Sequence, residues 1–164
     1  MQGLKLTLFK KSAFLKFQIQ QYASIYEALL DYTLETYHKK DIENSLLTKE
    51  EYSPISAFAQ TTEMYYTDSN SKKERILPCV KKLKKQPLKT IKISERTLAG
   101  VNLGIFDASI KQSLDMLYDS RNTIHILKAA KTNYTPTLAE SQEAFLLMPR
   151  IVNAIKEHIA TLNQ

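Results

Sequence analysis

Apolar residues recur at helical spacing over three long stretches of the chain, and the segments between them lose that rhythm. Phe14, Phe17, Tyr22, Ile25, Leu29 and Tyr32 follow one another at three- to five-residue steps. The spacing predicts an amphipathic helix from Phe14 to about Tyr37, with Ser12 placed as its N-cap. Ile110, Leu114, Leu117 and Ile124 form the stripe of a second helix, Ile110 to Lys128, with Asp107 ahead of it as N-cap. Thr137-Leu138-Ala139-Glu140 has the form of a capping box behind Pro136 and opens a third helix. Its stripe is Leu138, Phe145, Met148, Val152, Ile155, Ile159 and Leu162, and Pro149 should kink or split it because proline lacks the N–H donor.

The middle of the chain is less regular. Thr48 to Gln60, interrupted by Pro54, reads as a short helix or loop. The polar run Thr67-Asp68-Ser69-Asn70-Ser71 marks an exposed loop. Leu88 to Ile93 alternates briefly and predicts a short strand. Ser94 or Thr97 would cap a short helix through Val101 that Gly104 ends. Together these elements describe an all-α, compact helical bundle with long N-terminal and C-terminal helices and room for a short minor β element.

Composition narrows the function classes. The 164 residues suit one domain with a true core, and 43% hydrophobic with 24% charged residues is ordinary globular usage. Only three glycines occur, and no dinucleotide or Walker fingerprint is present. The single cysteine, Cys79, excludes an internal disulfide and a cysteine-built zinc site. Three scattered histidines lack the spacing of a metal site. His38, beside Lys39 and Lys40, reads as a cation at a helix C-terminus, and His158 as exposed helix surface. No apolar run reaches the ~20 residues of a membrane span, so the chain reads as cytoplasmic.

Charge is concentrated. Net charge is +6, and residues 70–100 hold ten Lys/Arg against two acidic residues. Lys81, Lys82, Lys84 and Lys85 form the densest part. Such a cluster either meets phosphates or forms a solvated surface. Tyr65-Tyr66 just ahead of it could stack on bases or serve as core and interface residues. Asp115 and Asp119 are i,i+4 neighbours that read as facing solvent.

One conflict between pattern and chemistry stands out. Arg121 falls on the apolar stripe of the second long helix, with His125 one turn further on. A guanidinium on a packing face must line a cleft, meet a partner chain, or pair internally with an acid such as Glu27 or Asp31 of the first helix.

The order of a long helix containing Tyr22 to Leu30, a helix ending in Arg121-Asn122-Thr123-Ile124-His125, and a long closing helix resembles the HEPN superfamily (higher eukaryotes and prokaryotes nucleotide-binding domains). The segment from Ser94 through Gly104 to Asp107 belongs to the same likeness. The resemblance implies a single HEPN-like helical domain over residues 1–164 and a homodimer whose two Arg/His pairs share one cleft. It also implies a metal-independent endoribonuclease of a prokaryotic defence or toxin–antitoxin system, with no cofactor. Arg121 would match the family's phosphate-clamping arginine, Asn122 its following polar residue, and His125 its proton-transferring histidine. Three residues separate Arg121 from His125, a shorter gap than is usual in the family. The alternative is a non-catalytic HEPN-like module that binds RNA or a nucleotide, or contacts a cognate antitoxin or effector protein.

Overall fold

The computed structural model describes residues 2–55, 64–67, 69, 72–76, 78–124 and 134–163. In chain order it contains α1 (Gln2–Tyr37), α2 (Lys39–Ser45), β1 (Thr48–Pro54), β2 (Met64–Thr67), β3 (Lys73–Ile76), β4 (Cys79–Lys85), a 3-10 turn (Leu88–Thr90), α3 (Ile93–Asn102), α4 (Ala108–Thr123) and α5 (Leu138–Leu162). The molecule is mostly helical with a minor β component. Helix α1 is its axis, and α3, α4 and α5 all pack on it.

The core is a single cluster. From α1 it takes Ile19, Ala23, Tyr26, Leu30 and Leu34, from α4 Ile110, Leu114, Leu117 and Tyr118, and from α5 Ala144, Leu147, Ile151 and Ile155. Helices α1 and α5 run in the same direction, since contacts advance together along both. Ser141 donates to Gln18 at 2.9 Å, the Tyr26 hydroxyl donates to the Ala144 carbonyl, and His38 meets His158. Burial pushes the Tyr26 hydroxyl up to about 12, with Tyr22 adding to the shift.

The stripe expected on α4 is the buried one, with Ile110, Leu114, Leu117 and Ile124 all in the core. On α1 only Tyr22 and Leu29 of the expected line pack against the core, and its other members lie on the wrong face. Phe14, Phe17, Ile25 and Tyr32 are exposed, while Leu15, Ile19, Tyr26, Leu30 and Leu34 are buried. Both sets have helical spacing, so periodicity alone could not choose between them. On α5 the expected stripe is met in part: Ile155 is buried and Met148 and Ile159 pack against the core, while Leu138, Phe145 and Leu162 are exposed and Ser141, Ala144, Leu147 and Ile151 face inward in their place.

Two helices start on side-chain caps, whereas α3 begins at Ile93 behind Lys92 with no side-chain cap, so neither Ser94 nor Thr97 starts it as expected. The Asp107 carboxylate accepts from the Ile110 N–H at 2.8 Å and starts α4. At α5 the capping box is complete: the Glu140 N–H donates to Thr137 Oγ1 at 3.2 Å, and the Thr137 N–H donates to the Glu140 carboxylate at 2.6 Å. Gly104, at φ +72°, turns the chain after α3. Helix α1 begins at Gln2, so Ser12 lies inside it and is not a cap. Helix α5 continues through Pro149 as one element rather than splitting. The expected extension of α4 to Lys128 falls beyond Thr123, where residues 125–133 lie outside the described residues.

The middle segment is where expectation and structure part. Thr48–Pro54 is a strand, not a short helix or loop, and it pairs antiparallel with the lysine-rich Cys79–Lys85, Thr48 opposite Lys85 and Pro54 opposite Cys79. Met64–Thr67 and Lys73–Ile76 form a second antiparallel pair. Leu88–Thr90 is a 3-10 turn, not a strand, and buries Leu88 against the core. Cross-strand charge pairs, Lys81 with Glu50 and Lys84 with Glu51, join the ladder, so strand formation in β1 and β4 is decided by a partner some thirty residues away in sequence.

Helix α3 packs where one residue has no side chain. A Cβ on Gly100 would lie 2.5 Å from the Phe106 ring, which folds back over the helix. Gly100→Ala should therefore lower stability by about 1–3 kcal/mol through overpacking, read as a shift in the urea midpoint at unchanged slope.

Candidate functional site

Arg121 has the internal partner that its position on the stripe called for. Its Nη1 donates to Glu27 Oε2 at 3.2 Å, and its side chain is 35% exposed. It is therefore at the edge of the bundle, near the end of α4, held by a carboxylate from α1. Asn122, next along, is exposed. His125 lies outside the described residues.

The deeper member of the site is Arg96 of α3, which is 4% exposed. Its Nη1 donates to both Asp31 carboxylate oxygens at 2.7 and 2.5 Å, and its Nη2 donates to Glu27 Oε1 at 2.6 Å. The four groups form a chain: Asp31, Arg96, Glu27, Arg121. Glu27 spends one oxygen on each arginine. Glu27 and Asp31 are an i,i+4 pair on one flank of α1, which is why a single guanidinium can reach both. The planar fork of arginine suits this task, and a lysine ammonium would not.

The electrostatics follow from that geometry. Burial acts to depress the Arg96 pKa, but its hydrogen bonds to Asp31 and Glu27 and the charges of those carboxylates outweigh it, and the net shift is upward. Tyr118 closes the floor and donates to the Ala23 carbonyl at 3.1 Å. Burial, with the Glu27 charge, pushes its hydroxyl far above the usual phenol range. Behind α3, Thr97 donates to Asp115 at 3.0 Å, and Lys111 pairs with the same carboxylate at 2.5 Å. Asp115 therefore faces a partner and not solvent, as its spacing had suggested, while Asp119 is exposed.

Sequence reasoning found Arg121 and its partner Glu27 but passed over Arg96, which counted there as one more charge of the basic segment. The available signal was Arg96-Thr97 followed by Gly100, a helical line of polar and small residues in a short helix that has to pack somewhere.

The four lysines lie together on β4, every residue of which is exposed. Three are engaged by carboxylates: Lys81 with Glu50 at 2.5 Å, Lys84 with Glu51 at 3.4 Å, and Lys85 with Glu43 of α2. Lys82 has no ion pair among the described residues. Tyr52, Tyr65 and Tyr66 are exposed on the strands, and the Lys73 ammonium stands 4.8 Å above the Tyr65 ring.

Two further features bear on function. A groove of about 560 Å³ runs between α4 and α5, floored by Ile19, Leu117, Ala144 and Leu147 and edged by Asp119, Glu140, Glu143 and Arg150. Three acids against one base make it unsuited to phosphate. At the other end of α1, His38 and His158 bring their Nε2 atoms within 2.7 Å, while His38 Nδ1 meets Asp41 at 3.0 Å. His158 also donates to the Gly104 carbonyl. His38 is thus buried in a dyad and is not a free helix-end cation, and His158 is not open surface.

No group of three or more His, Cys, Asp or Glu side chains among the described residues could hold a metal ion. Among the same residues no helix is long and apolar enough to cross a membrane. No family model matches the chain, and no curated protein and no solved structure matches it either.

Two outcomes test this description. Arg96→Met leaves Glu27 and Asp31 without their shared cation. It should cost about 3 kcal/mol, the low end for an orphaned buried pair because both carboxylates keep some water. Arg96→Lys should recover only part of the loss, and a Met variant within about 1 kcal/mol of wild type would contradict it. The second outcome concerns pH. Burial, then the neighbouring His38, depresses the His158 pKa, so folding favours the neutral ring. Its contribution is complete above the unfolded value of about 6.5 and is lost as pH falls below it. The urea midpoint of the wild type should drop more between pH 7.5 and 5.5 than that of His158→Gln.

Proposed function

We propose that the protein is a HEPN-like RNA-binding module of a prokaryotic defence or toxin–antitoxin system, and that it contacts RNA through the β1–β4 ribbon. The observation that carries this reading is a two-stranded ribbon open on both faces, with Lys81, Lys82, Lys84 and Lys85 on one strand and Tyr52 on the other. Its ion pairs are exposed, and pairs of that kind are worth only about 0–1 kcal/mol, so phosphates displace the carboxylates at little cost. The exposed tyrosines supply planar faces for unpaired bases. A cognate antitoxin or effector is the protein partner that this class implies.

A second reading, metal-independent RNA cleavage, draws support from Arg121. A half-exposed guanidinium held by Glu27 is oriented before any substrate arrives, which is what charge stabilisation at a transition state demands. In this reading Arg121 clamps the phosphate, His125 transfers the proton and Asn122 positions one of them. Against it stands the same bond, because Arg121 already satisfies a carboxylate. Binding is therefore the primary reading.

Fluorescence anisotropy with single-stranded RNA tests binding. Four phosphate contacts predict an affinity loss of about 50-fold between roughly 50 and 200 mM salt. Charge reversal at Lys81, Lys82, Lys84 and Lys85 should abolish most of the affinity and the salt dependence with it. Absence of binding at low salt rejects the reading. Incubating the same RNA in EDTA separates the two: cleavage by wild type that is lost in both His125→Ala and Arg121→Ala establishes the nuclease.

A further inference from the structure

The two faces of the β1–β4 ribbon are not alike. Side chains alternate along a strand, and directly opposed residues share a face. Lys81, Leu83 and Lys85 therefore stand on one face with Tyr52, Glu50 and Thr48. Val80, Lys82 and Lys84 stand on the other with Ser53, Glu51 and Lys49. The ion pairs respect this division, since Lys81 meets Glu50 across one face and Lys84 meets Glu51 across the other.

Charge divides the same way. On the Tyr52 face, Glu50 takes Lys81 at 2.5 Å and Glu43 of α2 takes Lys85, so two cations meet two anions. Those lysines hold both carboxyls below the usual carboxylate range. On the opposite face, Glu51 is the one acid that the two strands set among Lys49, Lys82 and Lys84, and its contact with Lys84 is loose at 3.4 Å. Neither Lys49 nor Lys82 has an ion pair among the described residues.

A second observation singles out this face. The register sets Lys49 directly against Lys84. Like charges so placed weaken a ladder, and an anion bridging them would turn the repulsion into shared attraction. A hollow of about 360 Å³ opens at this pair, lined by Lys49, Glu50, Glu51, Lys84 and Gln86. Lys82 and Lys84 follow one another at ~6.8 Å along the strand, a step that suits successive phosphates of an extended chain. Neither strand sets an aromatic ring on this face.

We infer that the face bearing Lys49, Lys82 and Lys84 is a phosphate track, which holds the backbone of a single-stranded nucleic acid irrespective of its bases. This rests on the RNA reading and narrows it. Lys49 joins the grip, whereas Lys81 and Lys85 stand behind it, held by their own carboxylates. Tyr52 is on the far side as well, so a base reaches its ring only where the strand passes over an edge of the ribbon.

Anisotropy of labelled oligouridylate and oligoadenylate, read with single glutamine variants, tests the division of the faces. Lys49→Gln, Lys82→Gln and Lys84→Gln should each weaken binding about fivefold at roughly 0.1 M salt. Each should also lower the salt slope by about 0.7, equally on both oligonucleotides. Lys81→Gln and Lys85→Gln should stay within about twofold of wild type. Lys49→Glu separates binding from a structural role. It sets an acid opposite Lys84, so amide exchange across β1 and β4 should slow about two- to fivefold while RNA affinity falls. Full affinity in Lys49→Gln, equal losses in all five variants, unequal losses on the two oligonucleotides, or exchange that fails to slow in Lys49→Glu each overturn the inference and leave RNA binding in place. A wild type that binds neither oligonucleotide rejects the RNA reading and the phosphate track together.

Discussion

One guanidinium fixes the arrangement of the helices around α1. Arg96 enters from α3 and satisfies Asp31 with one nitrogen and Glu27 with another, and Glu27 passes the constraint to Arg121 on α4. Three helices are thereby locked in rotation about their own axes. A hydrophobic seam tolerates a few degrees of roll, but a forked bond to two carboxylates does not. The buried charge is stabilising only because the fold supplies both acids at once, and this makes α3 dependent on α1 for its position. Arg96 Nε, which is buried, finds no acceptor among the described residues, so the match is complete at the tip of the fork and not at its stem.

That constraint also explains why Arg121 is both available and restrained. Half in water and tied at one nitrogen, it has a fixed direction without being buried. The charges of the four groups cancel, so the site presents little net field to a polyanion. The ribbon differs in kind. Its lysines are long, exposed and loosely paired, and it gains attraction at the expense of geometry. In the proposed reading, capture by the ribbon and discrimination near Arg121 would be physically separable tasks on one chain.

Much of the helical frame was legible in the residues. Asp107 and the Thr137–Glu140 box start their helices where the sequence places them, because caps are local chemistry. The α4 stripe was legible for the same reason. What local pattern cannot report is a choice between equals. Helix α1 has two apolar lines of similar spacing, and aromatic residues drew attention to the line that is exposed. The pairing of Thr48–Pro54 with Cys79–Lys85 depends on contacts distant in sequence, and no short window contains it. In the site, Arg121 was visible as an anomaly on a stripe. Arg96 was hidden among neighbouring cations, since burial and not identity is what distinguishes it.

The ribbon carries a hazard that its lysines offset. Strands β1 and β4 form a two-stranded sheet, so each has one edge with no strand beside it among the described residues, and Leu83, Val80 and Tyr52 are exposed on the ribbon. Such an edge is a template for uncontrolled stacking of one molecule on the next. Mutual repulsion between lysine rows is a common guard against that outcome. A surface that keeps this chain dispersed and one that would hold a nucleic acid are then the same surface. Neutralising it with a bound polyanion would remove the guard, so the saturated protein should be the form most prone to assemble into larger particles.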